Sequence, residues 1–217
     1  RTVLLLLNTA GNIVILLAMI ATVIASAKAA GPVLEIFAMD NGVGRGIWSP
    51  ERQASTLREI GFDGISYNYT TPADLKAWLA ELGRRKLKLY GICFAVRLES
   101  GNPLPDGVEA AVAMLRGTGA VLWLNIPSPV RPGDYEAVAL RRLQETADLA
   151  ATARLRVVLY PHRNQYVETA EHAFVLATRS GRANVGVSVN LCHELGAGNG
   201  VRLPEIIRRV APCLALV

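Results

Sequence analysis

A chain of 217 residues that is 51% hydrophobic and 19% charged carries enough apolar material for one domain with a substantial core, which excludes a disordered chain. Lys and Arg number 23 against 18 Asp and Glu, a net charge of +5. The densest basic cluster, Arg84, Arg85, Lys86 and Lys88, falls where a helix should end and complements its dipole, so no nucleic-acid interface is expected. The 3 cysteines, Cys93, Cys192 and Cys213, are far apart and odd in number, which excludes a disulfide framework, and the absence of CxxC leaves a structural zinc knuckle without support.

From Val3 to Ile24 the chain is almost wholly apolar and then ends in small residues, ASAKAAG. That pattern predicts a signal peptide or membrane anchor over residues 1–30, cleaved near Lys28 or Ala30 if it is a leader, and hence an exported protein, periplasmic or extracellular. The working domain is expected over 31–217. Apart from this possible anchor, no membrane contact is expected.

After the leader, short apolar runs alternate with amphipathic stretches of helical length, which is the signature of repeated βα units. The strands are predicted at Val33 to Met39, Asp63 to Asn68, Leu87 to Val96, Ala120 to Ile126, Leu155 to His162 and Asn184 to Asn190, with a seventh starting at Cys213. The helices between them are marked by their starts: Ser49-Pro50-Glu51 and Thr71-Pro72 each join a capping hydroxyl to a proline suited to the first turn. Further helices are predicted over Asp106 to Arg116, Asp134 to Ala153, Tyr166 to Ser180 and Pro204 to Val210.

Right-handed crossovers in series give either an open sheet or a barrel. The loop after the first strand, NGVGRG, lacks the spacing of a dinucleotide fingerprint, and polar residues collect after nearly every strand, so the barrel is preferred. The expected fold is an α/β (βα)8 TIM barrel, truncated after about six and a half units and preceded by a signal helix.

Only the carboxyl ends of barrel strands converge on one mouth. The candidate substrate contacts there are Asp40, Tyr67, Asn125, Tyr160 and Arg163. His162 and His193, two of only 3 histidines, follow neighbouring strands and are expected to share a site, either as ligands of a divalent metal or with one of them as general acid or base. His172 is read as a surface residue of its helix. Cys192 precedes His193 directly, and on extended backbone such neighbours point opposite ways, which argues against a nucleophilic pair.

The segments EIGFDGISYN, VVLYPHRNQYVETAEHA and NVGVSVNLCHELGAG resemble the sugar phosphate isomerase/epimerase family, whose fold is the xylose isomerase-like TIM barrel shared with endonuclease IV. In that family strand six ends in an Asp with a His three residues on, both metal ligands, and a Glu ends each of strands five and eight. By this resemblance His193 takes the place of the metal His, and Asn190 takes that of the Asp, an amide instead of a carboxylate. His162 lies near the place of the strand-five Glu, and the last Glu would fall beyond Val217.

The resemblance implies a metal set of His162, Asn190 and His193, with His162 also the candidate catalytic residue. The cofactor would be a divalent ion, zinc, manganese or magnesium, and the low ligand charge favours zinc over magnesium. The implied function is a sugar isomerase or epimerase working by metal-assisted proton transfer next to a carbonyl. Its partner would be a small sugar, free or oxidised in an exported setting. The alternative is a noncatalytic carbohydrate-binding barrel that has lost the acid/base pair. A metal-dependent phosphodiesterase would need more His and carboxylate ligands than the chain offers.

Overall fold

The computed structural model describes residues 34–99, 104–127 and 135–217, and the expected leader over residues 1–30 lies outside them. Among the described residues no helix is long and apolar enough to cross a membrane. Residues Ile36–Val217 form one compact unit.

Seven strands build its sheet: β1 Phe37–Met39, β2 Gly64–Asn68, β3 Lys88–Ala95, β4 Val121–Asn125, β5 Val157–Leu159, β6 Val185–Ser188 and β7 Leu214–Leu216. The helices are α1 Pro50–Ile60, α2 Pro72–Arg85, α3 Val108–Leu115, α4 Tyr135–Ala151, α5 Ala170–Ser180, α6 Leu191–Gly196 and α7 Leu203–Val210. Every strand pair is parallel and the spatial order is β1-β2-β3-β4-β5-β6-β7. Parallel neighbours in sequence order with a helix crossing each time are what right-handed βα units produce.

Helix starts follow the local chemistry. Ser49 Oγ accepts from the Arg52 amide at 3.3 Å and Thr71 Oγ1 from the Asp74 amide at 3.1 Å, with proline next in each case. These caps satisfy donors that the first turn leaves open. Gly61 closes α1 at φ +88°, a conformation that a Cβ disfavours, and Phe62 N then reaches back to Leu57 O at 3.0 Å.

The strands separate two cores because successive side chains point to opposite faces. On the outer face Ile65, Ile92, Leu122, Leu124, Val157 and Leu159 are buried together with Leu57, Leu75, Leu115 and Leu176 of the helices. Full burial of each such side chain contributes about 1.5–3 kcal/mol. The inner face holds a separate cluster of Cys93, Val121, Trp123 and Val158, against which Phe37, Met39, Tyr160, Ala215 and Leu216 pack. Side chains of β1, β4 and β7 meet in this cluster, so the sheet curls around it as a barrel wall does. Among the described residues β1 and β7 each pair on one side only.

The expected strands are all present, shorter at their ends. β5 stops at Leu159 because Tyr160 N makes the last bond to β4, at 2.7 Å to Leu124 O, and Pro161 has no N–H to continue. α5 begins at Ala170 instead of Tyr166, where Thr169 Oγ1 accepts from the His172 amide. One helix is missing from the expectations altogether: α6, directly after β6.

His172, expected at the surface, is half-buried against Tyr166, with ring centroids 5.2 Å apart. Burial pushes its pKa below the ordinary 6.5, opposed by a backbone hydrogen bond at Tyr166 and by the Glu136 charge. A folded-state pKa below the unfolded one means that the unfolded chain binds the proton more readily. Stability is therefore complete above pH 6.5 and declines as pH falls below it. Thermal melting across that range is expected to show a smaller acid-side loss in His172→Gln than in the parent. An unchanged slope would contradict the assignment.

Candidate functional site

The site is built where β5 and β6 leave the sheet. Tyr160 faces inward, its ring 4.5 Å from that of Trp123. Pro161 then turns the chain into a loop closed by His162 N to Val167 O at 2.9 Å and tied to β4 by Tyr166 N to Ile126 O at 3.1 Å. These bonds hold His162 at the rim.

On the neighbouring strand, Asn190 follows β6 and precedes α6, which carries His193 on its first turn. His193 N and Glu194 N both donate to Asn190 O, at 3.1 and 3.0 Å. Asn190 and His193 are therefore fixed relative to one another by a helix, and Cys192 and His193 lie on that helix, not on the extended backbone expected for them. Cys192 is exposed on that turn and donates to Asn190 Oδ1 at 3.0 Å.

The four side chains come together. The rings of His162 and His193 lie 3.9 Å apart at 39°. Asn190 Nδ2 donates to Tyr160 Oη at 3.0 Å, and Tyr160 Oη lies 3.5 Å from His193 Nε2. Burial raises the Tyr160 pKa, with Cys93 adding to the effect and the Asn190 bond opposing it, so Tyr160 is a neutral phenol whose proton can point toward His193. Burial first, and His162 second, lower the His193 pKa, which favours a neutral imidazole there. His162 Nδ1 stands 2.9 Å from Arg163 O. A carbonyl can only accept, so Nδ1 is the donor in this contact and Nε2 is the ring nitrogen left for other partners.

The expected substrate contacts divide. Arg163 is exposed and lies over α6, where a Cβ on Gly196 would come within 2.9 Å of Arg163 Cδ. Glycine there leaves room for the side chain. Asn125 ends β4 half-buried, and its carbonyl accepts from Val96 N at 2.8 Å. Asp40 is 4% exposed, and both its oxygens are engaged: Oδ1 with Arg45 Nη2 at 2.6 Å, Oδ2 with Asn68 N at 3.2 Å. It positions Arg45, 44% exposed, which the sequence reading passed over.

With its amide oxygen turned to the guanidinium, Asn68 accepts from both Arg45 Nη atoms at 2.9 Å. Tyr67 packs in the layer between sheet and helices, 2% exposed and stacked 5.3 Å from Trp78, and it borders the cavity that Asp40 and Arg45 also line. Its hydroxyl has no partner, and burial raises its pKa.

Cavities of about 340 Å³ and 390 Å³ lie beside β3 and β2. The first is lined by Cys93, Arg97 and Asp106 among others, the second by Asp40, Arg45 and Trp48, and neither is lined by the histidines. Burial pushes the Cys93 thiol up to about 12, with the Asp40 charge assisting, so it is no nucleophile near neutral pH.

Residues 54–215 match the family model described as xylose isomerase-like TIM barrel. The chain belongs to that family. No curated protein matches the sequence. Among solved structures, 3-keto-D-glucoside 4-epimerase YcjR from E. coli is similar at TM-score 0.70 and 13% identity, over 85% of this chain and 78% of that one. D-allulose 3-epimerase from Methylomonas sp. gives 0.67 and 18%, over 85% and 71%. A xylose isomerase-like TIM barrel protein from Mycobacterium smegmatis in complex with magnesium gives 0.60 and 17%, over 83% and 72%. At these identities the likeness establishes the fold.

Among the described residues of this xylose isomerase-like chain, no three His, Cys, Asp or Glu side chains form a group that could hold a metal. The donors at the rim are two imidazoles and an amide. That neutral set suits a borderline ion such as zinc better than magnesium, which prefers carboxylate and water oxygen. The orientation of His162 through Nδ1 and a backbone carbonyl is also how ligating imidazoles are commonly fixed. The donors thus fit a divalent ion as part of its shell.

Proposed function

We propose that this chain is a sugar isomerase or epimerase that moves a proton at the carbon beside a carbonyl of a small, unphosphorylated sugar. One observation carries the reading: His162 sits at the rim with its Nδ1 committed to Arg163 O, which leaves Nε2 as the working nitrogen, while its ring touches that of His193. An imidazole held in this way by a backbone carbonyl is oriented to move a proton at its other ring nitrogen.

In this reading Asn190 and His193 would hold a divalent ion, which would supply Lewis acidity for the reaction. His162 Nε2 takes the proton from the adjacent carbon and returns it on the same face to the neighbouring carbon, which is isomerisation; epimerisation needs a second proton donor on the opposite face. Tyr160, a neutral phenol tied to Asn190, orients the amide and donates toward substrate oxygen. Asn125, Arg163 and Arg45 supply hydrogen bonds to hydroxyls, with Asp40 holding Arg45 in place. The known activities of the two epimerases above and the magnesium of the third relative support the reaction class and the need for an ion.

A second reading makes His162 a third ligand, which its 3.9 Å approach to His193 favours. In that case proton transfer needs another base.

The test is deuterium wash-in. The protein, loaded with zinc or manganese, is incubated in D2O with a panel of ketohexoses and 3-keto-glycosides, and label at the carbon beside the carbonyl is read by mass spectrometry and NMR. Time-dependent, single-site labelling is expected for at least one sugar. Sugar binding without labelling would instead support a noncatalytic carbohydrate-binding barrel.

A further inference from the structure

Glu194 is the most buried charged side chain near the rim, at 0% exposure, and the reaction as proposed does not use it. Its Oε1 accepts from Ala170 N at 2.6 Å and its Oε2 from Asn199 Nδ2 at 2.7 Å. Ala170 is the first residue of α5, just after the loop that carries His162, and Glu194 itself follows His193 on α6. A carboxylate at a helix N-terminus meets open N–H groups and the positive end of the helix dipole, and charge-assisted bonds of this kind are short and strong.

α6 has only six residues, Leu191–Gly196, too few to hold an orientation by its own hydrogen bonds. Besides the Asn190 and His193 contacts with Tyr160, the buried tie of α6 to the preceding βα unit is this carboxylate. On the far side, Asn199 N also donates to Glu194 O at 3.0 Å, so the same residue fixes the exit of α6.

We infer that Glu194 is the positioning residue of the histidine pair: by bonding the start of α5 it clasps α6 to the His162 loop and sets the ring contact between His162 and His193. This rests on the reading of that pair as the working site, but its geometry is testable without turnover. Glu194 touches neither histidine ring in this role and is no catalytic residue.

The experiment uses the full chain with ring-labelled histidine. Only 3 histidines are present, so a cross-peak between the His162 and His193 rings, 3.9 Å apart, can be assigned by single substitution. The parent protein is expected to show it. Glu194→Ala is expected to lose it while contacts between the Trp123 and Tyr160 rings persist. Glu194→Gln is expected to retain it, since Gln can still accept from Ala170 N and can donate to Asn199 once that amide turns over.

If Glu194→Ala fails to fold, Ala170→Pro removes the same N–H. Proline is tolerated at a first helical position, and Thr169 before it is extended at φ −123°, ψ 156°, as a residue before proline must be. It too should lose the cross-peak. A cross-peak of undiminished intensity in Glu194→Ala or Ala170→Pro, or its loss in Glu194→Gln, would overturn the clasp. Absence of metal binding or of deuterium wash-in in the parent would instead count against the proposed reaction and leave the clasp standing.

Discussion

Trp123→Ala is expected to destabilise the chain by about 3–5 kcal/mol, the range for removing a large buried aromatic side chain. Trp123 is 5% exposed at the centre of the inner cluster, 6.1 Å from the Phe37 ring and 4.5 Å from that of Tyr160. Its Nε1 donates to Ser188 Oγ at 2.9 Å, and Ser188 Oγ donates onward to Leu159 O at 3.0 Å. One side chain thus joins β1, β4, β5 and β6 from inside the barrel, where no helix can compensate. Trp123→Phe separates packing from hydrogen bonding. It keeps most of the ring contacts and leaves Ser188 its bond to Leu159, so a loss of about 1–2 kcal/mol is expected. Urea denaturation with a common slope would measure both. A cost below about 1 kcal/mol for the alanine variant would mean that the inner face is not a packed core.

The second large effect concerns the histidines, which the proposed mechanism assigns to different tasks. His162→Ala removes the base but not Asn190 or His193. Turnover is expected to fall by about 10²–10⁴-fold, the usual contribution of a positioned general base, with the metal retained. His193→Ala removes a nitrogen ligand, and both metal and turnover should be lost. Tyr160→Phe leaves Asn190 without its partner at the phenol and is expected to weaken metal binding by about 10–100-fold, as loss of an outer-shell partner commonly does.

Much of the fold was legible because βα repetition writes itself into hydrophobic period and helix-start chemistry. Ser49 and Thr71 cap as their sequence contexts predict, and the long apolar run of β3 is buried on both faces by helices outside and the Trp123 cluster inside. The proximity of His162 and His193 followed from adjacency of strands five and six alone. α6 was missed because NLCHELG has too few residues to show a helical period, and it is anchored by the bond from Ala170 N to Glu194, a tertiary contact that the sequence does not show.

Tyr67 was legible as a strand-end residue, but not that alternation turns its ring outward onto Trp78, beside the cavity that Asp40 and Arg45 line. The Asp40–Arg45 pair was half seen: an acid after strand one is visible in sequence, but not that a loop beginning with a short 3-10 turn folds Arg45 back onto it.

Calorimetric titration of zinc into the metal-free protein at pH 7.5 addresses the shared rim most directly. One ion per chain is expected to bind the parent and His162→Ala, and none to bind His193→Ala. Equal binding by all three proteins, or no binding by the parent, would contradict a metal centre at Asn190 and His193.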